Sequence, residues 1–373
     1  MQIRLSVKAK DCCSLGFLAS NRFYYEKSFM NRKRKKWPRM VFMSLLVVAI
    51  ICCIAGAVLY DYAFKTYEGE RVRIYVDASK GAVALRDSLV ARLGESYGGR
   101  VYGIWSKISD SSELKSGSYV VEHGEKAWRL AGRIKKQRQN PVQVKFNNLR
   151  TIGQLASRLD VQLLADSASL AAATDSLLSS QGVLPANFVA HFLPDTYEFY
   201  WDEPAANVVA KIIGNYDRFW NDSRLAKARE LNLTPDEVST LASIVEEETN
   251  KVDERPVVAR LYLNRLASKM KLQADPTVKF ALGDFSLRRI LNKHLQVNSP
   301  YNTYMYQGLP PGPIRIPEAA TLDAVLDAPA HDYIYMCAKE DFSGYHNFAS
   351  DYASHQANAK KYQAALDRNG YGK

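Results

Sequence analysis

Met40 to Tyr60 is a run of 21 residues without a single charged side chain. About 20 apolar residues suffice to cross the hydrocarbon core of a bilayer as a helix. The run follows directly on Asn31-Arg-Lys-Arg-Lys-Lys36, a compact cationic cluster. By the positive-inside rule, residues 1–39 form a basic cytoplasmic segment and 40–60 a transmembrane helix. Everything after Asp61 then lies outside the inner (cytoplasmic) membrane of a single-pass protein. A cleaved signal peptide is the alternative, but its apolar region spans only about 7–15 residues and ends in a small-x-small site. No clear site of that kind follows here. A second start at Met30 would leave residues 1–29 as an extension.

Charge supports this division. The net charge of the chain is +11. Eleven Lys/Arg against two acids, Asp11 and Glu26, precede Val41, so nearly all of the excess sits in the tail. The basic balance is therefore no argument for nucleic-acid binding by the folded part. Of five cysteines, only Cys337 falls outside, which excludes a disulfide framework. No His/Cys spacing suggests a metal site, and no glycine-rich phosphate loop is present.

Beyond the span, Arg71–Val76, Tyr119–Val121 and Val142–Phe146 read as strands. Ala82–Leu93, Trp128–Ile134 and Ile152–Leu159 read as helices. A small α+β module over 61–150 follows, either a binder of wall polymer or a spacer. Asp166–Gly182 reads as a surface helix or a mobile insertion. Phe192-Leu-Pro-Asp-Thr-Tyr-Glu-Phe199 suggests an ordered loop, and Ala205–Phe219 a helix.

Thr234-Pro-Asp-Glu237 starts the most informative helix. Thr234 can cap it, Pro235 suits its first turn, and Glu237 can complete a capping box. Val238, Leu241, Ile244 and Val245 form its apolar stripe. Of the three acids Glu246, Glu247 and Glu248, only Glu248 falls on that stripe; the other two are expected on the flanks. A carboxyl held against apolar neighbours is desolvated and its pKa rises. A carboxyl protonated near neutral pH is what a general acid needs to break a glycosidic bond. The structural alternative is a Glu-rich solvated helix with one acid at a core edge.

Pro256–Ala267 reads as the next helix, and Leu272-Gln-Ala-Asp-Pro-Thr-Val278 opens a third, with Asp275 as N-cap. Gln273 and Thr277 are candidate hydrogen-bond donors to a substrate. In Ser299-Pro-Tyr-Asn-Thr-Tyr304, Tyr301 and Tyr304 are candidates for stacking on sugar faces, and Asn302 and Thr303 for polar contacts. An ordinary turn is the competing reading. Gly308-Leu-Pro-Pro-Gly-Pro313 is a stiff turn. Tyr333–Cys337 and His346–Phe348 read as strands before a terminal helix. His346 and His355 are read as structural.

Leu241-Ala-Ser-Ile-Val-Glu-Glu-Glu-Thr249, Leu272-Gln-Ala-Asp-Pro-Thr-Val278, Tyr301-Asn-Thr-Tyr304 and Gly308-Leu-Pro-Pro-Gly312 occur in this order. Together they resemble the signature blocks of the endolytic murein transglycosylases, the YceG-like family. Phe192–Tyr197 and Phe348–His355 fit as well, and the likeness covers roughly Arg71 to Asp367. Ala274 and Gln356 stand where relatives often carry Thr and Asn. The resemblance implies a LysM-like α+β module over 61–150 and a mixed, helix-rich α+β catalytic domain over 151–373. It implies a lyase that cuts peptidoglycan strands internally between N-acetylmuramic acid and N-acetylglucosamine, leaving 1,6-anhydro ends. Its catalytic acid maps to Glu248, with Gln273, Asp275, Thr277, Tyr301, Asn302, Thr303 and Tyr304 around the substrate. It implies no metal or other cofactor, peptidoglycan synthases as partners, and a role in terminating glycan elongation. A non-catalytic wall-binding scaffold and a hydrolytic muramidase are the alternatives.

Overall fold

The computed structural model describes residues 37–287 and 289–370. The cationic cluster before Trp37 lies outside the described residues. The chain divides into two compact units, up to Leu59 and from Tyr60 onward. The first helix, α1 (Trp37–Phe64), begins in the first unit, ends in the second, and is long and apolar enough to cross a membrane. Its large side chains, Met40 through Leu59, are exposed on all sides, as a helix awaiting lipid requires.

The second unit is a mixed, helix-rich α+β structure with three apolar clusters. The first cluster begins with β1 (Val72–Val76), followed by α2 (Gly81–Leu93) and α3 (Glu95–Ile108). β2 (Gly117–Val121) then returns antiparallel to β1, with Ile74 opposite Tyr119. α4 (Ala127–Lys135) closes the module by burying Leu130, Ala131 and Ile134. Gly98 sits where any Cβ would run into the Leu89 carbonyl, which lets α3 fold back closely on α2.

The second cluster is built on β3 (Val142–Lys145), α5 (Ile152–Asp160), α6 (Ser167–Ser180), β4 (Thr196–Phe199) and α7 (Ala205–Phe219). β3 pairs antiparallel with β4, so it belongs to this core rather than to the β1–β2 pair. One sequence expectation is corrected and one is resolved. Thr196–Phe199 is a strand rather than part of a loop, because Tyr197 and Phe199 alternate into the core. Residues 167–180 take the first of their two expected forms, a surface helix, capped by Asp166 and anchored on one face by Leu170 and Leu178.

The third cluster carries α8 (Asp222–Glu230), α9 (Pro235–Glu248), α10 (Arg255–Ala267), α11 (Asp275–Leu282) and α12 (Ala319–Leu326). The antiparallel pair β5 (Tyr335–Ala338) and β6 (His346–Ala349) and the helix α13 (Tyr352–Arg368) complete the chain. α9 is its axis. The expected capping box forms, with Thr234 and Glu237 each satisfying the other's backbone N–H. Every residue from Val238 to Glu246 is buried. Burial of Val238, Leu241, Ile244 and Val245 contributes about 1.5–3 kcal/mol each in transfer free energy. α10, α11 and α12 all pack on this helix, so its C-terminal turn is held from several directions.

Candidate active site

The last turn of α9 presents three acids in three environments. Glu248 is half-buried. Its Oε1 accepts a hydrogen bond from Tyr262 Oη on α10 at 2.8 Å. Desolvation pushes its pKa up to about 7, against an opposing pull from the Tyr262 hydrogen bond. The Asp275 charge pushes further up, and His346 and Arg265 pull down. A carboxyl poised near neutrality can give and retake a proton.

Glu246 corrects the flank expectation: it is the most deeply buried acid of the three, at 3% exposure. Its Oε2 accepts from the Glu318 N–H at 2.9 Å and from Thr321 Oγ1 at 2.8 Å. Its Oε1 faces an Arg315 guanidinium nitrogen at 2.9 Å. Glu247 takes the same arginine at 3.0 Å and Arg150 at 2.8 Å. Both acids are therefore consumed in ion pairs that fasten α9 to the segment before α12. The sequence phase placed them relative to α9's own stripe, but not relative to a chain that returns some 70 residues later. That return depends on the Gly308–Pro313 turn. Gly312 lies against the Ala186 carbonyl with no room for a Cβ, and Ile314 N–H then reaches Ser243 Oγ on α9 at 3.0 Å.

Glu254 holds the other side of the site. It is buried at 5% exposure. Its Oε2 accepts from Thr249 Oγ1 and faces His346 Nδ1, both at 2.8 Å, and its Oε1 takes the His346 N–H at 2.7 Å. This carboxylate ties the residue after Glu248 to the start of β6. Arg265, also buried, donates to the carbonyls of Leu272 at 2.7 Å and Ile334 at 2.6 Å, joining α10 to the approach of α11 and to β5.

The remaining sequence candidates separate into two groups. Thr277, Asn302 and Thr303 are buried at 0%, 0% and 2% exposure. Thr277 and Thr303 hydroxyls meet at 2.9 Å, and Thr303 Oγ1 also accepts from Ala274 N. Asn302 donates to the Leu295 and Val297 carbonyls, both at 2.8 Å. These side chains build the loop and are not available to a substrate, which corrects the polar-contact expectation. Tyr301 packs its ring on Phe280 at 4.7 Å against the core, so it is not a free sugar platform. Gln273, Asp275 and Tyr304 remain outward. Gln273 and Asp275 are exposed, and Gln273 holds a left-handed φ of 56°. Asp275 is the first residue of α11 rather than its N-cap, which is Ala274. Its carboxylate instead accepts from Tyr304 Oη at 2.6 Å.

Tyr262, Glu254, Arg265 and Arg315 were not singled out from the sequence. One signal was there to use: Arg265 falls on the stripe of Val258, Leu261 and Tyr262 by the same 3–4 spacing that marked Glu248. A cavity of about 850 Å³ lies around Thr234, Asp236, Glu237, Asn264 and Gly308–Pro311. That is the opposite end of α9, roughly 20 Å from Glu248 at helical rise.

The Tyr262 bond makes a prediction. Tyr262→Phe removes a donor that favours ionised Glu248, so the Glu248 pKa rises further. A hydrogen bond to a charged group is worth about 1.5–3 kcal/mol, so the shift is expected to be about one pH unit or more. The alkaline limb of the pH–rate profile, which reports loss of the acid form, should move to higher pH. An unmoved limb would contradict the placement of Tyr262 on the reacting carboxyl.

Residues 76–361 match the YceG-like family, and the chain belongs to it. It is similar to the endolytic murein transglycosylase of Bacillus subtilis, at 32% identity over 151 residues, 40% of this chain and 42% of that protein. It is similar to the endolytic murein transglycosylase of Streptococcus pneumoniae, at 24% identity over 273 residues, 64% of this chain and 49% of that protein. The chain thus spans less than half the length of these curated relatives. A crystal structure of a YceG-like protein from Listeria monocytogenes superposes with a TM-score of 0.53 at 22% identity. That alignment covers 77% of this chain and 98% of the other, and supports the fold.

Proposed function

We propose that this chain is a membrane-anchored lytic transglycosylase that cleaves peptidoglycan strands internally, with Glu248 as its acid and base. The observation that carries the reading is the Glu248 carboxyl itself, half-buried, hydrogen-bonded by Tyr262 and raised to a pKa of about 7. The names of the relatives supply the substrate class. Protonated Glu248 gives its proton to the oxygen bridging N-acetylmuramic acid and N-acetylglucosamine, and the bond to C1 breaks. The substrate's own acetamido oxygen relieves the positive charge at C1. Glu248, now ionised, takes the proton of the muramyl C6 hydroxyl as that oxygen bonds to C1. The strand ends in a 1,6-anhydro ring and the carboxyl is protonated again. No water enters, so one carboxyl serves both steps. Gln273, Asp275 and Tyr304 line the approach. Such cuts in nascent strands would end their elongation, beside peptidoglycan synthases.

We assign residues 1–39 to the cytoplasm, 40–60 to a single crossing of the inner membrane, and the rest to its outer side. The β1-α2-α3-β2 module would serve as a LysM-like wall-binding unit, and the region after residue 150 as the catalytic domain. Hydrolysis is the second reading, favoured by one observation. Asp275 is a second carboxylate whose charge acts on Glu248, and hydrolytic glycosidases use two.

The test of internal cutting is the length distribution of uncrosslinked glycan strands during digestion by the full-length protein. Mean length should fall early, before disaccharides accumulate. Steady release of disaccharides from otherwise intact strands would overturn the endolytic reading.

A further inference from the structure

The folded part of the chain is nearly neutral overall, yet one stretch of it is one-signed. Lys126 to Arg138 holds six Lys/Arg and no acid. This is α4 and the turn that leaves it. Leu130, Ala131 and Ile134 form its inner face, and Arg133 turns toward Glu125 at 2.9 Å. Arg129, Lys136 and Arg138 face outward and are exposed. Among the described residues no carboxylate pairs with them. Together with Trp128 and Gly132 they line a shallow depression of about 380 Å³. Trp128, large and apolar, is 43% exposed.

This face is fastened to the residues that follow the apolar span. Ala127 N–H donates to the Lys65 carbonyl and Tyr67 N–H to the Glu125 carbonyl, both at 2.9 Å. The Trp128 ring lies 6.2 Å from that of Phe64, and the Lys126 ammonium sits 4.9 Å over the Phe64 ring. Phe64 is four residues past Tyr60, the end of the uncharged run. Four residues reach at most about 14 Å, so covalent continuity alone keeps this face within reach of headgroups.

We propose that the face of α4 carrying Trp128, Arg129, Lys136 and Arg138 docks on anionic phospholipid headgroups of the membrane from which the chain emerges. The inference rests on the membrane anchoring assigned above. Tryptophan favours the headgroup level, where its ring is apolar and its N–H is wet. Each Lys or Arg near an anionic surface strengthens association by about fivefold. A glycan backbone of alternating N-acetylglucosamine and N-acetylmuramic acid carries no phosphate to meet these cations. Docking would fix the height of the first module above the bilayer, and so where its neighbours meet their substrate.

The test uses the full chain in lipid nanodiscs, either phosphatidylcholine alone or mixed with phosphatidylglycerol, with bromines placed near the headgroups. The difference in emission between the wild type and Trp128→Phe isolates Trp128. In anionic discs that emission should be lost to bromine quenching, and α4 should exchange its amide hydrogens more slowly than in neutral discs. Arg129→Glu, Lys136→Glu and Arg138→Glu combined should restore both. Unquenched Trp128 with equal exchange in the two discs would overturn the proposal while leaving the anchor intact. Protection that appears only on adding soluble glycan strands would also overturn it, in favour of a wall polymer. A chain that fails to enter the discs at all would overturn the anchoring and the docking together.

Discussion

Glu248→Gln is expected to reduce strand cleavage by roughly 10²- to 10⁴-fold, the usual worth of a positioned acid–base group. Glutamine keeps the size and can still accept from Tyr262, so the fold should survive. The substitution also has a signed effect on stability. The folded-state pKa of Glu248, about 7, is raised above its ordinary value of 4.5. The protonated carboxyl therefore contributes stability that is fully present below about 4.5 and lost as pH rises through about 7. The variant has no such group, so it should gain on the wild type in thermal midpoint across that window. A midpoint difference that stays flat from pH 4 to 8 would mean the carboxyl is not desolvated as described.

Glu246→Ala is expected to destabilise the fold by roughly 3 kcal/mol or more, the range for breaking a buried ion pair from one side. It leaves the Glu318 N–H and the Thr321 hydroxyl without their acceptor and strips one carboxylate from Arg315. Glu247 retains the arginine, which limits the loss. Denaturant unfolding would show a lower midpoint with little change in slope. Activity per folded molecule should fall less than in Glu248→Gln, because Glu246 is taken up by the Glu318 N–H, Thr321 and Arg315. Stability within 0.5 kcal/mol of wild type, on the order of a surface change, would show that the Glu246–Arg315 contact carries no weight.

These two acids show what was readable in the sequence. The capping box and the apolar stripe are local properties of α9, fixed by 3.6-residue periodicity, and they were legible. So were the uncharged run that becomes α1 and the strands β1, β2, β5 and β6. The burial of Glu246 was not legible, because it is decided by Arg315 and Thr321, which arrive from a distant part of the chain. Asn302, Thr303 and Thr277 looked like polar residues awaiting a ligand. Their partners turned out to be one another and the loop's own carbonyls, and no window of sequence reports that. β3 read correctly as a strand, while its partner β4 was hidden in a stretch whose Pro and Asp suggested a loop. Pairing is a long-range choice, and propensity records only local ones.

The reaction itself is tested most directly by the mass of the strand ends that the full-length protein creates from uncrosslinked glycan. Cleavage by Glu248 without water leaves an anhydro end, lighter by one water than a hydrolysed end. The wild type should yield anhydro ends in step with the number of cuts, and Glu248→Gln almost none. Hydrated ends in the same yield, or undiminished anhydro ends from Glu248→Gln, would contradict the single-carboxyl mechanism.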